Sequence, residues 1–116
     1  MNELKSKVML VFEERKLFLD PSLTLADLSR EVGIGIHELS YVIHNELKKN
    51  FYNLINEMRV EEAKMILLSE KIKYSNMAGI AIEAGFNSKT TFNTTFKKLT
   101  GQTPTDFVRS NSNSAL

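Results

Sequence analysis

The chain has 116 residues, 42% hydrophobic and 25% charged, with a formal net charge of +1. That describes an ordinary globular domain, too small to enclose a deep active site. It has no cysteine, which excludes a disulfide framework, a thiolate zinc site and a cysteine nucleophile.

Apolar runs are short, the longest like Val8 to Phe12, and the opening Met-Asn-Glu-Leu-Lys lacks an apolar stretch. Neither a membrane span nor a secretory signal is expected, so the domain is read as cytoplasmic with no membrane contact. Charge is unevenly placed. Lys89, Lys97, Lys98 and Arg109 face only Asp106 between Phe86 and Arg109, whereas acids gather at Glu13–Glu14 and Glu61–Glu62.

Apolar residues recur at spacings of three and four and never alternate over a strand length, so the whole chain reads as helical. A first helix is expected from Glu3 to about Leu17, with Leu4, Val8, Val11 and Phe12 as its stripe and Asp20-Pro21 as its stop. Thr24 then caps a short helix, with Asp27 completing a variant capping box and Leu23 and Leu28 at the staple positions. Gly33 closes it in a left-handed conformation. A third helix spans about Ile36 to Leu47 and buries Leu39, Val42, Ile43 and Leu47. Asn50 caps a long helix from Phe51 to about Ser69, striped by Phe51, Leu54, Ile55, Met58, Ala63, Ile66 and Leu67. After a polar break from Glu70 to Ser75, Asn76 caps a short helix ending at Gly85. Lys89 to Leu99 is the next. Thr103-Pro104 opens the last, proline being favourable at a first helical position, and this helix fades near Arg109. Residues 110–116 read as a disordered tail.

The chain contains itself twice. Thr24 and Asn76 lie 52 residues apart, and at that offset Leu25 meets Met77, Ala26 meets Ala78, Leu28 meets Ile80, Glu31 meets Glu83 and Gly33 meets Gly85. One extra residue in the second turn makes the offset 53, and then Leu39 meets Phe92, Val42 meets Thr95, Ile43 meets Phe96, and Leu54 and Ile55 meet Phe107 and Val108. Each copy is a short helix, a glycine turn and a second helix, the helix-turn-helix pattern. Ala26 and Ala78 are expected where the two helices of each copy cross. The predicted fold is therefore all-α, with about seven helices. Subdomain 1 covers about 3–50, a linking helix 51–69 and subdomain 2 about 70–109.

Nothing suggests catalysis. His37 and His44 lie seven apart on one helix, whereas helical metal pairs sit one turn apart. Glu13–Glu14 and Glu61–Glu62 are adjacent and diverge. Met58, Met65 and Met77 read as core filler. No enzyme activity, cofactor or metal is expected.

The segment from about Leu23 to Arg109 resembles the DNA-binding domain of the AraC/XylS transcription regulators. The resemblance rests on LTLADLSREVGI (Leu23 to Ile34), INEMRVEEAKMIL (Ile55 to Leu67) and, most specifically, IAIEAGFNSKTTFNTTFKKLTGQTPTDF (Ile80 to Phe107). KLFLDPSL (Lys16 to Leu23) resembles regulators of Bacteroidetes-type bacteria. The resemblance implies two helix-turn-helix units that each insert a second helix into the major groove. Double-stranded DNA is then the partner, and RNA polymerase is admitted as a further one. Family members commonly add a sensing or dimerisation domain, so the chain is expected to be a C-terminal domain or a small stand-alone member. The sequence departs from the family at Tyr41 and Thr94, where arginine is common, at Gly79, where an acid is common, and at Lys48, where glycine commonly ends the first recognition helix.

Matching to the family places base-reading positions at His37, Ser40 and Tyr41 in the first recognition helix, and at Lys89, Thr90, Asn93 and Thr94 in the second. Asparagine can bond an adenine edge, lysine can donate to guanine and threonine can meet a thymine methyl. His44, Ser88, Lys97 and Lys98 are phosphate candidates, Ser88 because it opens a helix. A linking helix of 19 residues spans about 28 Å, against about 34 Å between successive major-groove faces. The rival reading is a helical protein-interaction module that never touches DNA, which the small net charge and missing arginines favour and the double repeat with polar, basic second helices argues against.

Overall fold

The computed structural model describes residues 2–114. Among them it holds seven α-helices and no strand: α1 (Asn2–Arg15), α2 (Leu25–Val32), α3 (Ile36–Tyr41), α4 (Phe51–Leu67), α5 (Met77–Glu83), α6 (Lys89–Thr100) and α7 (Pro104–Ser114). The residues form two units that divide between Asn56 and Glu57, inside α4.

In the first unit α1 packs on α2 and on the continuation of α3. Val8, Phe12, Leu28, Val32, Leu39, Val42, Ile43, Leu54 and Ile55 are buried there. The helix α1 stops two residues short of the expected Leu17. Lys16 takes a left-handed conformation (φ 50°), and its N–H still bonds the Phe12 carbonyl at 2.8 Å. The chain then makes a 3-10 turn, Leu17–Leu19, that buries Phe18 with its ring centroid 6.3 Å from that of Phe12. The expected third helix is also interrupted. After Tyr41 it widens into a π-helical stretch, Val42–Glu46. There the Leu47 N–H reaches back to the Val42 carbonyl at 3.2 Å. Lys48, again left-handed at φ 59°, ends it, and the Lys49 N–H returns to the Ile43 carbonyl at 3.2 Å.

The second unit gathers Val60, Ala63, Ile66 and Leu67 of α4 with Ile80, Ala81, Ala84, Phe86, Phe92 and Phe96, and Ile72, Met77, Phe107 and Val108 close its margin. Phenylalanine rings run through it in sequence. Centroids are 5.3 Å apart for Phe86–Phe92, 5.7 Å for Phe92–Phe96 and 5.4 Å for Phe96–Phe107. Such contacts contribute about 0.5–1.5 kcal/mol each beyond area burial. The matching positions of the first copy are Ile34, Leu39, Ile43 and Leu54, so one framework carries an aliphatic filling and an aromatic one.

Two expectations are corrected. Ala26 and Ala78 are exposed, so they do not lie at the helix crossing. Leu28 and Ile80 point inward, and at 100° per residue a position two back lies on the opposite side. The small residues on the inner side are Ala81 and Ala84, fully buried, and the half-buried Ser29 that matches Ala81. The last helix also continues through Ser114, where disorder was expected from 110. The Gln102 side-chain amide donates to Ser110 Oγ at 2.8 Å and the Asn111 amide to the Phe107 carbonyl at 2.8 Å. Residues 115 and 116 of the expected tail lie outside the described residues.

Candidate nucleic-acid interface

The two second helices are presented by the same hydrogen-bonded framework. In the first copy the Thr24 hydroxyl accepts the Asp27 N–H at 3.0 Å, and the Asp27 carboxylate accepts the Thr24 N–H at 3.1 Å. These bonds, with Arg30 nearby, hold the Asp27 carboxyl below its ordinary value of 3.8. In the second copy Asn76 Oδ1 accepts the Gly79 N–H at 2.7 Å, and glycine has no carboxylate to return the bond. Both turns close through left-handed glycines, Gly33 at φ 84° and Gly85 at φ 100°. Each is sealed by the following residue. The Ile34 N–H bonds the Ser29 carbonyl at 3.3 Å and the Phe86 N–H bonds the Ala81 carbonyl at 2.9 Å. The repeat continues past the second helices. Asn50 Oδ1 caps the Asn53 N–H at 2.7 Å, and Thr103 Oγ1 caps the Asp106 N–H at 3.1 Å. The matching acids Glu31 and Glu83 each hold a cation, Arg15 and Lys71 respectively. The Glu83 hydrogen bond raises Lys71 above its ordinary value.

Burial of Leu39, Val42 and Ile43 sets what α3 and its continuation show to solvent. His37, Glu38, Ser40, Tyr41, His44 and Asn45 are all exposed. Tyr41 is 53% exposed, a large ring half open to solvent. The Asn45 side chain is turned back to the Tyr41 carbonyl at 3.1 Å. The residues His37, Ser40, Tyr41 and His44 therefore share one surface of the first unit, with Glu38 as the acid on it.

Phe92 and Phe96 are fully buried and orient α6 in the second unit. Lys89, Thr90, Thr94, Lys97 and Lys98 are exposed, and Asn93 is half-buried among them. No carboxylate occurs from Asn87 to Thr100. Ser88 has a structural task, since its hydroxyl accepts the Thr91 N–H and donates to Thr91 Oγ1, both at 3.1 Å. The first-copy counterpart, Gly35, caps α3 without a side-chain bond.

Sequence reasoning passed over the ground just beyond α3. Lys48, Lys49, Asn50 and Asn53 line an open groove with His44 and Asn45. The available signal was Lys48 itself, a lysine where the second copy has Gly101.

A family model described as a helix-turn-helix domain matches residues 28–110. An uncharacterized HTH-type transcriptional regulator of Staphylococcus aureus is 33% identical over 101 residues, covering 87% of this chain. The chain spans 13% of the length of that relative. The C-terminal domain of AraT, a response regulator from Geobacillus stearothermophilus, superposes with a TM-score of 0.76 at 27% identity, over 92% of this chain and 84% of that one. A Chromobacterium violaceum transcriptional regulator, described as AraC-type DNA-binding domain-containing, gives a TM-score of 0.79 over 93% of this chain and 91% of its own. At 17% identity that likeness is one of fold.

Proposed function

Because the chain belongs to the AraC-type helix-turn-helix family of DNA-binding transcription regulators, we propose that it reads double-stranded DNA with both of its second helices, each set in a major groove and the two in neighbouring turns. The observation that carries this reading is the exposed polar surface on α3 and on α6, each mounted in the same capped, glycine-closed framework. Base contacts fall to His37, Ser40 and Tyr41 in the first unit and to Lys89, Thr90, Asn93 and Thr94 in the second. Phosphate contacts fall to His44, Lys97 and Lys98, and to Ser88 at the N-terminus of α6.

Chemistry distributes the work unequally. The second helix carries lysines and no acid, whereas the first carries Glu38 and Glu46. Neutralising phosphates releases counterions and gives binding its salt dependence, so the second unit supplies more of the electrostatic grip. The first, with a tyrosine and two histidines, depends more on contact and hydrogen bonding.

Selection of bound sites from a random duplex library tests the reading. Two short motifs about one helical turn apart are the expected product. A single motif would leave one unit gripping without reading. No enrichment, together with no salt-sensitive binding to the starting pool, would replace DNA binding with the protein-interaction reading.

A further inference from the structure

Lys48 is an anomaly that the fold does not require. It holds φ 59°, a conformation that places a side chain's Cβ against the backbone and that glycine enters without cost. The second copy resolves the same helix ending with Gly101 at φ 84°. Strained backbone positions cluster at ligand-binding sites.

The surroundings indicate which use. Lys48 is exposed and lines a groove with His44, Asn45, Lys49, Asn50 and Asn53, a lining that contains donors and cations and no carboxylate. His44, Lys49 and Asn50 also line a neighbouring hollow that reaches Ser40 on α3. The groove is thus continuous with the surface assigned to base reading. Elsewhere Arg15, Arg30, Lys64, Lys71, Lys73 and Arg109 are each held by a carboxylate, and none of these pairs involves Lys48.

We propose that this groove seats a phosphate of the DNA backbone, and that Lys48 keeps its strained backbone because its ammonium group contacts that phosphate and anchors the first reading helix. The proposal rests on the DNA-binding reading above. The ammonium group is a point charge on a flexible stem, suited to a phosphate and carrying no sequence information.

The test is fluorescence anisotropy on the duplex selected by the unaltered protein, over a salt series, with K48A, K48G and K48R. One lost phosphate contact lowers the slope of log affinity against log salt by about 0.9, which corresponds to about a fivefold loss at 0.15 M salt. K48A and K48G should both show that loss on every duplex tested, selected or not, while K48R keeps affinity and slope. Far-UV circular dichroism of each variant separates lost binding from lost folding. K48A and K48G binding with unchanged affinity and slope would overturn the assignment of Lys48 while leaving the DNA reading intact. Absence of salt-dependent duplex binding by the unaltered protein would overturn both.

Discussion

Replacing Lys48 by glycine should stabilise the first unit. A side chain held in the left-handed region costs about 1–2 kcal/mol, and Lys48 sits there at φ 59°. Its side chain is exposed, so little packing is lost with it. Glycine also frees the unfolded chain, which opposes the gain by about 0.4–1 kcal/mol. The expected net effect is about 0.5–1 kcal/mol in favour of K48G, or about 2–4 °C in the unfolding of the first unit for a domain of this size. K48A is the control, because it removes the charge and keeps the Cβ that clashes, and should change stability by less than about 0.5 kcal/mol. Urea and thermal unfolding followed by far-UV circular dichroism measure both variants. K48G melting at or below K48A would refute the reasoning, because it would mean that the left-handed lysine carries no strain for glycine to relieve.

Three further outcomes are expected. Glu46 holds one carboxylate oxygen buried without a hydrogen-bond partner, and Leu99 is its second-copy counterpart. Since an unpaired buried acceptor costs about 1–3 kcal/mol, E46L should raise the urea midpoint, with the slope against urea unchanged. Asp27 is held below its ordinary value by its bonds with Thr24 first and by Arg30 second, so its carboxylate form belongs to the folded state. That contribution is complete above the unfolded value near 3.8 and fades as pH falls through the lower folded value. The stability difference between the unaltered protein and D27N, followed by chemical denaturation at a series of pH values, should therefore be constant near neutrality and close in strong acid. A difference that stayed constant into strong acid would contradict this. K97A combined with K98A should lower the salt slope of duplex binding by about 2 and, both side chains being exposed, leave the melting temperature unchanged, while an unaltered slope would remove both lysines from the phosphate contacts.

Much of the framework was legible because capping and turn chemistry are local. Thr24 with Asp27, Asn50, Asn76, Gly33 and Gly85 each act within a few residues, and each stands in the structure where the sequence put it. The inner stripes of the helices were legible for the same reason. What escaped depended on phase or on distant partners. Ala26 and Ala78 are small and match between copies, but size and matching do not fix the direction in which a side chain points. The side that faces inward is set by Leu28 and Ile80, and on it Ala81 is buried and Ser29 half-buried. The π-helical stretch was invisible because Leu39, Val42, Ile43 and Leu47 fit an ordinary helix equally well. Residues 110–114 have a disordered composition, and their helix draws on Gln102 and Phe107, partners that a local reading of serines and asparagines does not include. The candidate site followed the same division. Exposure of His37, Ser40, Tyr41, Lys89, Thr90 and Thr94 could be read from periodicity, whereas the groove behind Lys48 exists only once the start of α4 is folded against the end of the first reading helix.

The different fillings of the two cores bear on how the chain reaches its native state. Tandem copies of one motif invite a helix from one copy to dock into the other, a common failure of repeated sequences during folding. Here such an exchange would set Phe92 and Phe96 into a space shaped for Leu39 and Ile43, or leave the aliphatic pair rattling between Phe86 and Phe107. Overfilling a packed interior costs about 1–3 kcal/mol, and underfilling leaves a void. The divergence of the interiors thus sets an energetic cost on such an exchange, while the two copies keep one backbone design.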